Sequence, residues 1–170
     1  MAFWDLFGSD DQKSTQHSGL YNKVKEFLPE ATESELVLVA CVSGLFARVI
    51  YIDFEVHKNE VVKMKSVLGH WTKLDAEKIK AIVELSIDEI KDLAGLENHL
   101  YAHPLVDIIE RDQRYSLLES LFAIAASDGH VDEAESEEIR IIAKGLGLEH
   151  KHFISARATV LDYIGALKKS

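Results

Sequence analysis

Two short acidic segments share one pattern, and this repeat constrains the fold more than any other feature of the chain. The second segment carries Asp, Val and Glu at positions 128, 131 and 135, and the first carries them at 53, 56 and 60, which is 75 positions earlier (128 − 53). Each segment lies between a long apolar stretch and an amphipathic one. The sequence therefore predicts a duplicated helix–turn–helix unit.

Apolar residues recur with helical spacing along most of the chain. Val42, Leu45, Phe46 and Val49, for example, follow the i, i+3, i+4, i+7 pattern of one buried helix face. Only 2 Pro and 9 Gly interrupt these runs. We predict an all-α bundle of about seven to nine helices. They are expected near residues 21–28, 32–53, 57–71, 76–93, 105–109, 115–128, 132–146 and 152–167.

The same pattern indicates how the chain is organised. Residues 1–19 are predicted to be an N-terminal tail, and residues 20–170 a single all-helical domain with repeats at about 33–94 and about 104–167. The tail contains Phe3, Trp4, Leu6 and Phe7. These residues could form an arm for a protein partner or a peripheral membrane contact, or they could belong to a loosely packed terminus.

Charge and cysteine content narrow the functional classes. The net charge of -10 argues against a nucleic-acid-binding protein, which needs a basic face. This negative charge is compatible with binding a divalent cation or a basic protein partner. The single cysteine, Cys41, excludes an internal disulfide and a cysteine-rich zinc site. No bilayer-spanning apolar run or signal peptide is visible, so we expect a cytoplasmic protein, with the inner face of the membrane as a further location.

Four carboxylates of the repeated segments are candidate metal ligands. Asp53 and Asp128 follow apolar residues by one helical turn, and Glu60 and Glu135 precede apolar residues by one turn, so all four are predicted to face inward. Buried charges need partners, because an unpaired one costs several kcal/mol. From position 128 to position 138 there are six acids and no Lys or Arg.

A hard divalent cation would relieve this repulsion, and Ca²⁺, Mg²⁺, Mn²⁺ and Zn²⁺ are the ions considered. The predicted metal ligands are Asp53, Glu60, Asp128 and Glu135. His57 and Asp132 are further candidates, although Asp132 is expected chiefly to cap a helix and His57 could simply begin one.

Simpler interpretations remain open at this point. Gly129 could end one helix while Asp132 and Glu135 form a capping box for the next, so that the segment is only a tight corner. Arg48 and Arg140 could neutralise the acids. A nucleophile constellation and a phosphate-binding glycine loop are both absent from the sequence, which favours a non-enzymatic metal-binding or scaffold protein over a metal-dependent hydrolase.

Three stretches of the second half resemble one protein family. Residues 125–135, 139–143 and 153–157 are similar to the signature of the TerB-like tellurite-resistance family, and the resemblance extends from about 36 to about 161. It implies a duplicated all-helical fold and an acidic site for a divalent metal. It also implies a role in tellurite and other stress responses, often near the membrane. Phe54 stands where the family pattern has glycine.

Overall fold

The fold is formed by α-helices joined by short turns. The computed structural model describes the backbone of residues 11–92 and 99–161, with side chains from Gly19 to Asp92 and from Tyr101 to Leu161. The helices are α1 Asp11–Phe27, α2 Glu33–Ile50, α3 Lys58–Trp71, α4 Ala76–Asp92, α5 His99–Ala102, α6 Leu105–Ile108, α7 Arg111–Ala125, α8 Glu133–Gly145 and α9 His150–Ala158. A 3-10 turn, Ala126–Asp128, follows α7 directly.

These elements confirm the all-helical prediction and correct several helix boundaries. Helix α1 begins at Asp11, so residues 11–19, which were predicted to be tail, are helical. Helix α2 ends at Ile50, before Asp53, and α7 ends at Ala125, before Asp128. Helix α9 ends at Ala158, while the remainder of its predicted span is largely outside the described residues. The division into two repeats at the stated boundaries stays a prediction.

Local capping explains where α2 and α8 begin. Thr32 Oγ1 accepts a hydrogen bond from Glu35 N, and the Glu35 carboxylate accepts one from Thr32 N at 2.8 Å. Asp132 and Glu135 make the same reciprocal pair at the start of α8. Each box satisfies amide donors that the first helical turn leaves without intrahelical acceptors.

Helix α2 is the central element of the fold. It is apolar around most of its circumference, and helices of that kind are buried on all sides. It packs against α1, α4, α5 and α7, and also contacts α3, α6 and α8. Near its C-terminus, Arg48 Nε donates a 2.8 Å hydrogen bond to Glu138 Oε1 of α8, which ties the two halves of the chain together through a largely buried ion pair.

Two observations concern the predicted membrane contact. Among the helices that the structure describes, none has the length and apolar character needed to cross a bilayer. The aromatic and aliphatic tail residues Phe3, Trp4, Leu6 and Phe7 lie outside the described residues.

Gly44 allows a close approach between α2 and α5. A Cβ atom at this position would lie 2.7 Å from Cδ1 and 2.9 Å from Cε1 of the buried Tyr101 ring. Gly69 of α3 is exposed, and a Cβ there would meet only the flexible end of Ile79, at 3.3 Å. A methyl group is therefore expected to clash with the Tyr101 ring at position 44 and to be accommodated at position 69.

We expect Gly44→Ala to lower the free energy of unfolding by about 1 kcal/mol, since an overpacking cost of about 1–3 kcal/mol exceeds a helix-propensity gain of about 1 kcal/mol. The matched variant Gly69→Ala should be neutral or stabilising. Urea denaturation of both proteins measures the difference. A Gly44→Ala protein as stable as Gly69→Ala would show that α5 does not pack tightly on α2.

Candidate metal centre

The two acidic segments fold into equivalent turns. The turn after α2 passes through Phe54 at φ 65°, and the turn after α7 passes through Gly129 at φ 91°. In each turn the aspartate before that residue caps the backbone. Asp53 Oδ1 accepts from Glu55 N at 2.9 Å, and Asp128 Oδ1 accepts from His130 N at 3.1 Å. Phe54 thus adopts the left-handed conformation that glycine adopts more easily. The first acidic turn therefore has the same backbone shape as the second.

Both glutamates of the repeated pattern occupy the third position of a helix. Glu60 Oε2 accepts a hydrogen bond from His57 N at 3.2 Å, and Glu135 Oε2 accepts one from Asp132 N at 2.9 Å. Glu60 is 0% exposed and Glu135 is 5% exposed. Both carboxyl groups therefore point inward, as the sequence predicts.

The two buried carboxyls meet each other. Helix α3 packs against α7 and the 3-10 turn. The Glu60 and Glu135 carboxyls interact, because each contributes to the pKa of the other. Glu60 Oε1 is buried and has no hydrogen-bond donor among the described residues. Burial raises the pKa of Glu60 to about 7 and that of Glu135 to about 8, although the backbone N–H groups of His57 and Asp132 oppose the shift. Near neutral pH the pair therefore favours sharing a proton over carrying two charges.

Asp53 and Asp128 do not face inward, and here the prediction of four inward carboxylates is wrong. Both residues are exposed. The reason is that α2 and α7 end before reaching them, so the helical spacing that projected them onto the buried face no longer applies. Asp128 nevertheless lies close enough to Glu60 and His57 for its charge to contribute to the raised pKa of each.

His57 and Asp132 occupy matching positions but make different contacts. Asp132 Oδ1 accepts from Glu135 N at 2.8 Å, which is the capping role expected for it. The His57 side chain makes no cap hydrogen bond. Its Nε2 instead lies 3.3 Å from Asp53 Oδ2, and the hydrogen bond with Asp53 is the main reason that the pKa of His57 is raised.

The two arginines considered as neutralising partners bind two of the six acids between positions 128 and 138. Arg48 pairs with Glu138, and Arg140 makes two hydrogen bonds to Glu137. Within the part of the chain that the structure describes, no Lys or Arg forms an ion pair with Asp53, Glu60, Asp128 or Glu135. Arg48 and Arg140 therefore do not neutralise these four acids, and among them Asp53 pairs with His57.

One residue of the site was not anticipated from the sequence. Glu55 joins Asp53 and His57 in a group whose ligand atoms all lie within 4.8 Å of one another. The signal for it was the alternation of Asp, Glu and His at positions 53, 55 and 57. Glu138, in contrast, is buried with Arg48 of α2 as its ion-pair partner.

Comparison with known proteins is informative at the level of the family. The family model described as Tellurite resistance protein TerB matches residues 37–158, which is most of the chain. The chain belongs to the TerB family. Comparisons with curated proteins and with solved structures found no match. In this TerB-family chain the matched span contains both acidic turns and both buried glutamates, as the resemblance seen in the sequence implied.

The buried glutamates give a testable dependence of stability on pH. Folding raises the pKa of Glu60 and of Glu135, so the folded state is stabilised when the pair is protonated at low pH. This stabilisation is lost as the pH rises through about 7 to 8. We expect Glu60→Gln, whose amide can donate to Glu135 at any pH, to be more stable than the wild type at about pH 9, by on the order of 1–3 kcal/mol. The advantage should shrink towards about pH 5.

Urea denaturation in the presence of a chelator measures this difference at each pH. Glu84→Gln, at an exposed position of α4, removes the same charge elsewhere and should run parallel to the wild type. A constant offset between Glu60→Gln and the wild type over this pH range would contradict the shared-proton arrangement.

Proposed function

We propose that this chain is a non-enzymatic TerB-family module that binds a divalent cation at its two acidic turns and acts in tellurite or related stress responses. Glu60 and Glu135 would be the inner ligands. Asp128 would complete the site from the second turn, and Asp53 with His57 would border it from the first. Asp132 is assigned to capping, because its carboxylate already accepts from Glu135 N.

The observation that carries the proposal is the unpartnered oxygen Glu60 Oε1. A buried carboxylate oxygen without a donor is costly, and the group next to it is a second carboxyl rather than a cation. A divalent ion would neutralise both glutamates at once and supply the positive charge that no Lys or Arg of the described residues provides.

The capping contacts also favour a preorganised ion site. Each glutamate uses Oε2 to accept from the backbone of its own turn. This contact fixes the direction of the side chain while leaving the other oxygen for a ligand. Because the two turns are equivalent, the two inner ligands proposed here come from the two halves of the chain.

Isothermal titration of the chelator-treated protein with Ca²⁺, Mg²⁺, Mn²⁺ and Zn²⁺ tests the proposal. We expect at least one ion to bind the wild type at one site. The double variant Glu60→Gln/Glu135→Gln should lose at least about tenfold in affinity for that ion, since it removes both inner charges. Glutamine keeps an oxygen for the capping hydrogen bond, so the fold should be retained.

Glu84→Gln serves as the control for loss of surface charge and should bind like the wild type. An absence of binding to the wild type, or equal binding to the double variant, would leave the two turns as structural corners of a scaffold protein. The cellular role is tested separately by measuring the tellurite tolerance of the source cells when they carry the double variant.

A further inference from the structure

A cavity of about 610 Å³ lies beside the first half of α2. One of its walls is formed by the α1–α2 turn together with α2, and the other by the connection between α3 and α4 together with the start of α4. The acidic turn that contains Asp53 follows the opposite end of α2, a helix of 18 residues and therefore roughly 27 Å in length. The cavity is thus separate from the candidate metal centre.

The walls of this cavity are largely apolar. Phe27 of α1 lines it and is 40% exposed, and Leu38, Trp71 and Leu74 line it and are half-buried. Small-molecule sites in proteins are concave, lined mainly by apolar and aromatic side chains, and ~300–1,000 Å³ in volume. The cavity has the size and the lining of such a site.

The polar groups within the walls already have partners. Trp71 Nε1 donates a hydrogen bond to Ser120 Oγ at 3.3 Å, and Thr72 Oγ1 donates one to Leu68 O at 2.8 Å. Among the described residues, none of the buried polar atoms that lack a hydrogen-bond partner belongs to the lining of the cavity. A polar group of a ligand would therefore lose its water without gaining a hydrogen bond, which favours an apolar occupant.

The charges at the rim cancel. Glu30 and Glu35 belong to one wall and Lys73 and Lys78 to the other, and all four residues are exposed. An ionic group entering the cavity would be attracted by one pair and repelled by the other, and solvent screens both interactions. The rim is therefore complementary to a molecule without a net charge.

We propose that this cavity is a binding site for an uncharged, apolar small molecule. Removal of apolar ligand surface from water against Phe27, Leu38, Trp71 and Leu74 supplies the binding free energy. The wall polar groups, which are satisfied within the protein, and the balanced rim discriminate against charged ligands. This site is independent of the proposed cation site.

Calorimetric titration with decan-1-ol, an uncharged alkyl probe, tests the proposal. We expect the wild type to bind decan-1-ol more tightly than octan-1-ol, by about two- to fourfold for each added methylene. Leu38→Trp places a larger side chain in the cavity and should lower the affinity at least tenfold. Leu74→Trp fills the cavity from the other wall and should have the same effect. Urea denaturation verifies that each variant is folded.

Val62→Trp is the matched control, because Val62 is an exposed residue of α3 that does not line the cavity. It should bind decan-1-ol like the wild type. Trp71 provides a second readout, since the chain has 2 tryptophans and Trp4→Phe leaves Trp71 as the only one. Its fluorescence should change as decan-1-ol is added and should saturate at the affinity measured by calorimetry.

The charge of the ligand is tested with two further probes of the same chain length. Sodium decanoate and decyltrimethylammonium chloride should bind no more tightly than decan-1-ol. Binding of either ion more than tenfold tighter than decan-1-ol would overturn the assignment to uncharged ligands.

The remaining outcomes decide whether the cavity is the site. The proposal is overturned if decan-1-ol does not bind, if folded Leu38→Trp and Leu74→Trp both bind it like the wild type, or if Trp71 fluorescence does not respond. It is also overturned if Phe3→Ser/Trp4→Ser binds decan-1-ol more than tenfold tighter than the wild type, because the chain's own N-terminal segment would then be the occupant. Glu60→Gln/Glu135→Gln should bind decan-1-ol normally, so this proposal and the proposed cation site can fail separately.

Discussion

The contact between Glu60 and Glu135 is the constraint on which the rest of the site depends. Two carboxyl groups that would repel each other in water are held together beneath the surface, where burial disfavours their charges. Such a pair is stabilised by a shared proton, so the arrangement makes the stability of the folded state depend on pH. The capping hydrogen bonds direct each side chain inward and offset part of the cost of burial.

Apolar packing elsewhere in the fold makes this contact possible. Helix α2 is almost entirely buried, and its neighbours include helices from both halves of the chain. The Arg48–Glu138 ion pair joins α2 to α8 close to the site, and it uses the arginine that could otherwise have neutralised the inward carboxylates. Glu138 is thereby paired with an arginine, whereas Glu60 and Glu135 form no ion pair with a Lys or Arg of the described residues.

The two turns also show how a duplicated element can diverge without losing its shape. Phe54 and Gly129 both take the left-handed conformation, and Asp53 and Asp128 both cap the residue two positions later. What differs is the residue that begins the following helix. The Asp132 carboxylate accepts a hydrogen bond from the helix terminus, whereas the His57 ring contacts Asp53 instead, so the side-chain contacts differ while both turns keep the left-handed residue.

The sequence by itself determined the helical class, the family, the two turns and the inward direction of Glu60 and Glu135. These features depend on local spacing and on capping rules that act over one or two helical turns. It could not place Asp53 and Asp128, because their orientation depends on where α2 and α7 stop. Only the tertiary structure decided that Glu60 meets Glu135, that Arg48 binds Glu138 instead, and that Glu55 lies beside His57, because side-chain partners across helices are set by packing rather than by sequence spacing.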